Sequence, residues 1–187
     1  LVAHRGGHVI MQVQPTLVEL VKTIPGVAEV IPTPPPATPP PQGPSPPLPP
    51  VPYDLEAPLM SLPGIFGTTL ETIPHDVPYI TADPVRLAYW AGELRRRGSG
   101  FRVGIVWKGG VFQPENDLRS TILAQFGALA VPNPIPGVTF FGLQKGDAAA
   151  QAKTPPPGLP FVDLASDLYD FSDTAAVIQN LDLLISI

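Results

Sequence analysis

The spacing of apolar residues changes several times along this chain, and each change of period marks an element. Residues 8–14 are mostly β-branched and apolar (Val9, Ile10, Met11, Val13) and predict a strand. After Pro15, the side chains of Leu17, Leu20, Val21 and Ile24 share one helical face, so a helix is expected over 16–24, with Pro25 and Gly26 to stop it. Residues 27–31 form a second apolar run. A strand, a helix and a strand this close together predict a βαβ unit with parallel strands. Residues 53–57 read as a further strand, 59–67 as an apolar run and 68–81 as irregular. A helix is expected over 85–97, opened by Pro84, N-capped by Asp83 and stopped by Gly98. Leu87, Trp90, Ala91 and Leu94 form its apolar face, which makes Trp90 a core residue.

From Phe101 onward the alternation becomes regular. Strands are expected over 101–107, 138–143, 161–164 and 181–187. Between them come helical stretches at 120–129, after Asp147, and at 174–180 behind a Ser172-Asp173 cap. Such β-α-β-α-β-α-β order predicts an α/β fold with an open, parallel, Rossmann-type sheet. A subdomain boundary is expected at 98–100, dividing the chain into residues 1–99 and 100–187.

Composition changes this picture at one place. Of the 21 residues from Pro32 to Pro52, 13 are proline. Proline fixes φ and has no amide to donate, so residues 32–52 are expected as an extended insertion in a surface loop. The second reading is a ligand for an SH3- or WW-type partner.

Charge narrows the classes of partner. The formal net charge is −5, and no basic stripe is visible beyond Arg95, Arg96 and Arg97, which read as the last turn of a helix. Nucleic acid is therefore not an expected partner. Without cysteine, thiolate chemistry and disulfides are excluded. His4, His8 and His75 lack metal-ligand spacing, so no metal site is expected, and His75 reads as a loop residue rather than a base. No apolar run is long enough to span a membrane, no signal peptide is evident, and the expected location is the cytoplasm. Gly-x-Ser-x-Gly, Walker A and Gly-x-Gly-x-x-Gly elements are all missing.

In open α/β sheets, ligands bind beyond the carboxyl ends of the strands. Trp107-Lys108-Gly109-Gly110 follows one predicted strand and Gln144-Lys145-Gly146 another, each combining a cation with glycine. Glycine lets backbone amides approach an anion, and lysine adds a point charge. Arg119 is expected at a helix start, where the dipole disfavours it unless an anion compensates. That anion is either a bound diphosphate or the neighbouring Asp117.

Several stretches together resemble bacterial glycosyltransferases of the heptosyltransferase-like type, often attached to tetratricopeptide repeats and distantly similar to O-GlcNAc transferase. They are 6–15 (opening Gly6-Gly7-His8-Val9), 58–63 (Pro58 to Pro63), 68–74 (Thr68 to Pro74) and Val77-Pro78-Tyr79. The series continues through 104–109, Asn116-Asp117 with Arg119-Ser120, 143–146, and Asp170-Phe171-Ser172-Asp173-Thr174-Ala175-Ala176. The resemblance implies a GT-B fold of two Rossmann-like halves, without a metal and with no cofactor, in which a sugar moves from a nucleotide-sugar donor to a protein or glycan acceptor. It implies that 1–99 belongs to the acceptor side, with 58–63 and 68–74 facing the acceptor. It also implies that 100–187 is the donor side, with Trp107, Lys108, Gly109, Arg119, Gln144 and Lys145 lining the donor; the catalytic residue is not assigned.

Three departures go with it. The family's glycine-rich loop is missing ahead of 8–14, residues 32–52 replace a short loop, and 111–117 differs from an Asn-Pro-rich loop. The family continues after a strand like 181–187 with Asp-Thr and a histidine-containing helix, so an incomplete GT-B architecture and impaired activity of the chain alone are expected. The competing reading is a non-catalytic interaction protein that presents the proline segment on a Rossmann scaffold.

Overall fold

The computed structural model describes residues 1–34, 52–110, 116–130 and 135–187, with 116 and 117 described by backbone only. Most of the proline-rich segment, and with it the expected SH3/WW ligand, lies outside the described residues.

The first βαβ unit forms as the hydrophobic pattern predicts. Strands β1 (Val9–Val13) and β2 (Val27–Pro32) pair in parallel, Met11 opposite Val30 and Gln12 opposite Ile31. The helix between them is shorter than expected. A 3-10 turn at Pro15–Leu17 runs into a single α turn, α1 (Val18–Val21). Too few residues separate Pro15 from Pro25-Gly26 for α-helix propagation to offset nucleation. Val21 is its buried residue, and α1 packs against a later helix, Phe171–Gln179.

The strand expected at 53–57 does not form. Pro52 and Pro58 bracket it, no neighbour supplies a ladder, and Leu55 is left 92% exposed. The run after it becomes a 3-10 turn at Leu59–Ser61 and a single turn, α2 (Leu62–Ile65). Helix α3 (Pro84–Arg97) is capped as expected: the Asp83 carboxylate accepts from Arg86 N at 2.9 Å, and Pro84 takes the first position, where no amide is needed. In its last turn, Arg96 and Arg97 both pair with Glu93, and Arg97 also binds Asp167.

The second sheet is made of β3 (Phe101–Val106), β4 (Val138–Gly142), β5 (Phe161–Asp163) and β6 (Leu183–Ser186), all parallel, in spatial order β5-β4-β3-β6. The fold is thus α/β with parallel, Rossmann-like sheets. Residues between the strands form the single turn α4 (Asn116–Arg119), 3-10 segments at Leu123–Leu129 and Asp147–Lys153, and helix α5 (Phe171–Gln179). The alanine-rich segment expected as a helix after Asp147 is thus 3-10, as is most of 120–129. Both are seven residues long with i→i+3 bonding, longer than most 3-10 runs.

Strand alternation sorts the core into two layers. Val103, Ile105, Trp107 and Phe140 face the 3-10 segments, packed with Leu123, Ala130, Ala152 and Leu159. Phe141 and Leu143 face α3 and α5, packed with Trp90, Leu94, Leu164, Leu168, Ala176 and Val177. Helix α3 therefore joins the core of the second sheet, although it precedes the glycines at 98–100. Gly100 is required where it stands: its φ is +74°, and an added Cβ would lie 2.0 Å from the Gly137 carbonyl oxygen. At the other neighbour of β3, Arg102 N donates to the Asp182 carboxylate at 2.7 Å while Asp182 N donates to Arg102 O at 2.9 Å, which sets β6 in register.

Helices α3 and α5 are joined by a buried polar network. The cap of α5 is Asp170, which accepts from Ser172 N and Asp173 N, and not the predicted Ser172-Asp173 pair. Asp173 is withdrawn from capping because its carboxylate accepts from Trp90 Nε1 at 3.1 Å and Tyr169 N at 3.0 Å, with the Arg86 guanidinium 2.9 Å away. Burial works to raise the Asp173 pKa. The Trp90 and Tyr169 N–H groups and Arg86 outweigh it and hold the carboxyl below its ordinary 3.8. Its stabilising effect is accordingly complete above pH 3.8 and lost as pH falls below it. Urea denaturation should show Asp173→Asn less stable by about 1–3 kcal/mol at pH 7. The gap to the parent should shrink as the pH drops below the ordinary carboxyl value.

Candidate functional site at the carboxyl edge of the second sheet

Strand β3 is laid down first, β4 and β5 step outward on one side, and the chain then returns to place β6 on the other. The strand order reverses at β3, and in such sheets the reversal opens a crevice beyond the carboxyl ends. The segment leaving β3 is Trp107-Lys108-Gly109-Gly110, and beside it, leaving β4, is Leu143-Gln144-Lys145-Gly146.

Gln144 ties the two together. Its Oε1 accepts from Trp107 N at 3.0 Å and Lys108 N at 2.8 Å. Its Nε2 donates to Lys108 O at 3.0 Å and Lys145 O at 2.9 Å. All four bonds a carboxamide can make are used, and the side chain is buried, with the residue 5% exposed. Gln144 therefore builds the rim and has no donor or acceptor left for a ligand. Lys145 is spent similarly: its ammonium donates to Ala165 O at 2.7 Å and Leu168 O at 2.8 Å, fastening the β5–α5 connection to the end of β4. Trp107 is completely buried, its ring 6.4 Å from that of Phe161. Its indole N–H finds no partner among the described residues.

Lys108 stands at the opening. Thr121 N donates to Trp107 O at 2.8 Å and Gly109 N donates to the Ser120 hydroxyl at 3.3 Å, so residues 120–121 run alongside 107–109. Between them is a recess of about 290 Å³ lined by Lys108, Ser120, Thr121, Ile122, Gln125 and Gln151. It is preorganised: Gln151 Oε1 accepts from Leu123 N at 2.8 Å, and the Thr121 hydroxyl donates to Gln125. A lysine, a serine, a threonine and two glutamines around a small polar recess are residue types suited to phosphate oxygens.

Arg119 differs from expectation. It is the last residue of α4 and not the first of a helix, so the dipole favours its charge there and creates no demand for an anion. Its side chain is exposed and lies next in sequence to the recess wall; the side chain of Asp117, the alternative partner, lies outside the described residues. The structure thus brings Lys108, Gly109, Gln144 and Lys145 together, with Arg119 adjoining, but only Lys108 among the predicted residues lines the recess. Thr121, Gln125 and Gln151 were not legible as site residues, because an uncharged polar side chain on a 3-10 segment carries no chemical signature until the segment is placed.

The stretches assigned to the acceptor side, 58–63 and 68–74, meet elsewhere, around an apolar recess that includes Pro63, Thr68, Leu70 and Pro74. His75 is exposed there, its Nδ1 3.3 Å from Ile73 O. Among the described residues no cluster of three or more His, Asp or Glu could hold a metal, and no helix is long and apolar enough to cross a membrane.

No family model matches the chain, and no solved structure matches it. It is similar to Protein FlbA of Caulobacter vibrioides, with 30% identity over an alignment of 127 residues that covers 63% of this chain and 20% of that protein. The chain therefore spans about a fifth of the length of the curated relative it matches.

Removal of the clamp separates its role from that of the lysine beside it. Gln144→Ala should lower stability by about 3 kcal/mol in urea denaturation, since two backbone N–H groups and two carbonyls lose their partner. Lys145→Ala, at a more exposed site, should cost about 1 kcal/mol.

Proposed function

We propose that this chain is part of a cytoplasmic glycosyltransferase that moves a sugar from a nucleotide-sugar donor to a protein or glycan acceptor, in the manner of the heptosyltransferase-like, tetratricopeptide-associated GT-B enzymes. The observation that carries the reading is the polar recess at Lys108, beside Gly109 and Gly110, on the strand where the sheet order reverses. A recess of about 290 Å³ is at the small end for ligand pockets, the size of a diphosphate and part of what it carries. In glycosyl transfer the departing nucleoside diphosphate gains negative charge as the sugar leaves. Lys108 and the hydroxyls of Ser120 and Thr121 would turn to meet that charge, Thr121 releasing Gln125 as it does so, and positive and donor groups held at the site lower a barrier there. Arg119, on an exposed turn beside the wall, would add long-range attraction, and Gln144 and Lys145 act as positioning residues. Segments 104–109 and 143–146, which carry part of the family resemblance, support the reading because Gln144 joins them at this edge.

Calorimetric titration with UDP-, GDP- and ADP-sugars tests it. One donor should bind saturably, with no change on adding a chelator. Lys108→Ala should weaken that binding by about tenfold or more, equivalent to about 1.4 kcal/mol, and Arg119→Ala by less. Equal affinity of the parent and Lys108→Ala for every donor would remove the assignment.

A further inference from the structure

Gln151 reaches the polar recess from an element of its own. It lies in the 3-10 segment Asp147–Lys153, which follows β4, whereas Ser120, Thr121, Ile122 and Gln125 belong to the crossover after β3. Ala152, next in sequence, and Leu123 are buried in the same core layer. The two segments are therefore held together by burial as well as by the bond from Leu123 N to Gln151 Oε1 at 2.8 Å.

That bond also fixes which way the carboxamide is turned. A backbone amide can only donate, so the atom it meets is the oxygen, and the amino group is the end left over. Gln125 is not fixed in this way, because its partner, the Thr121 hydroxyl, can donate or accept. The Gln151 amino group has no partner among the described residues and is not one of their buried unsatisfied atoms, so it reaches solvent. Since Gln151 lines the recess, a ligand there comes within reach of a group that can donate and cannot accept.

The rest of the lining agrees with such a group. No aspartate or glutamate lines the recess, and its one charged residue is Lys108. A cationic ligand would find no counter-charge in that wall, and an aliphatic one would cover an unused N–H. An oxyanion suits both lysine and amino group, because an N–H that donates to a charged oxygen makes a charge-assisted bond.

We infer that Gln151 is a binding residue for the donor's diphosphate, its amino group donating to a phosphate oxygen while its side-chain oxygen stays on Leu123 N. The inference rests on the recess being the diphosphate site. It adds a contact from a second element, so that the anion joins the segments after β3 and after β4.

Calorimetric titration with inorganic pyrophosphate tests it, in the parent, Lys108→Ala, Gln151→Glu and Gln151→Met. Glutamate keeps an oxygen for Leu123 N and replaces the donor with an anionic acceptor. Methionine removes both groups without adding charge. Gln151→Glu should weaken binding by about tenfold or more with urea stability unchanged, and Gln151→Met by about threefold or more with stability lowered. Direct donation to the anion is the role lost in both variants, since the cap on Leu123 survives in the first and no new charge enters in the second. If Lys108→Ala weakens binding while Gln151→Glu binds as tightly as the parent, the inference falls and the donor reading stands. A loss in Gln151→Glu with full affinity in Gln151→Met is a field effect of the new charge and overturns the inference as well. A parent that does not bind pyrophosphate, or binds it no better than Lys108→Ala does, overturns both.

Discussion

One buried carboxamide governs the carboxyl edge of the second sheet. In a parallel sheet the last residue of each strand must turn its backbone away from its neighbour, which leaves amides and carbonyls without ladder partners just where the core still excludes water. Gln144 meets that demand for two strands at once, accepting from the β3 side and donating to both sides. A hydroxyl offers one proton, and a carboxylate none, so neither could make the same set. The interaction fixes the path of residues 107–109, and therefore the direction in which Lys108 leaves the sheet and the place where residues 120–121 can lie beside it. The recess is a consequence of the clamp before it is a property of its own lining.

The two cation-and-glycine segments at this edge thus serve different ends. Lys145 is committed to carbonyls of the β5–α5 connection, where it organises a loop. Lys108 lines the small polar recess. Identical sequence signals separate only when the neighbouring strand and the crossover segment are in place, because what decides the role of a lysine is which carbonyls lie within reach of its flexible stem.

That contrast also explains how much could be read from the residues alone. The parallel α/β class, the strands from β3 to β6 and the capping of α3 follow from period, proline and Asp83, all local signals. Trp90 was legible as core because its helical face is apolar throughout. The strand expected at 53–57 failed because β-forming residues still need a ladder, and no neighbour supplies one. Ser172-Asp173 looked like a cap because the residue types are right; Asp170 holds that place because Trp90, distant in sequence, engages Asp173. Arg119 is expected just ahead of a helix over 120–129 but closes α4, whose four residues are too few to leave a periodic pattern. Gln144 and Lys145 were singled out for their position, yet their bonds show them holding the rim together.

The junction between the two halves of the chain follows from the same long-range polar bonding. The glycines at 98–100 look like a hinge in sequence, but Gly98 cannot serve as a loose one: an added Cβ there would lie 2.6 Å from Thr139 and 2.8 Å from the Phe141 ring. Trp90 and Leu94 carry the preceding helix into the core shared with Phe141 and Leu143. Asn180 Nδ2 donates to Leu87 O at 3.1 Å across the same interface, and Arg86 bridges Asp170 and Asp173. Helix α3 is consequently fixed to the second sheet by apolar burial and by charge at once. By contrast α1 has Val21 as its buried residue where it meets α5. Relative movement of the two sheets would meet less resistance along the α1–α5 contact than at the glycines, because the apolar surface to be separated is smaller there and no buried carboxylate must be stripped of its partners.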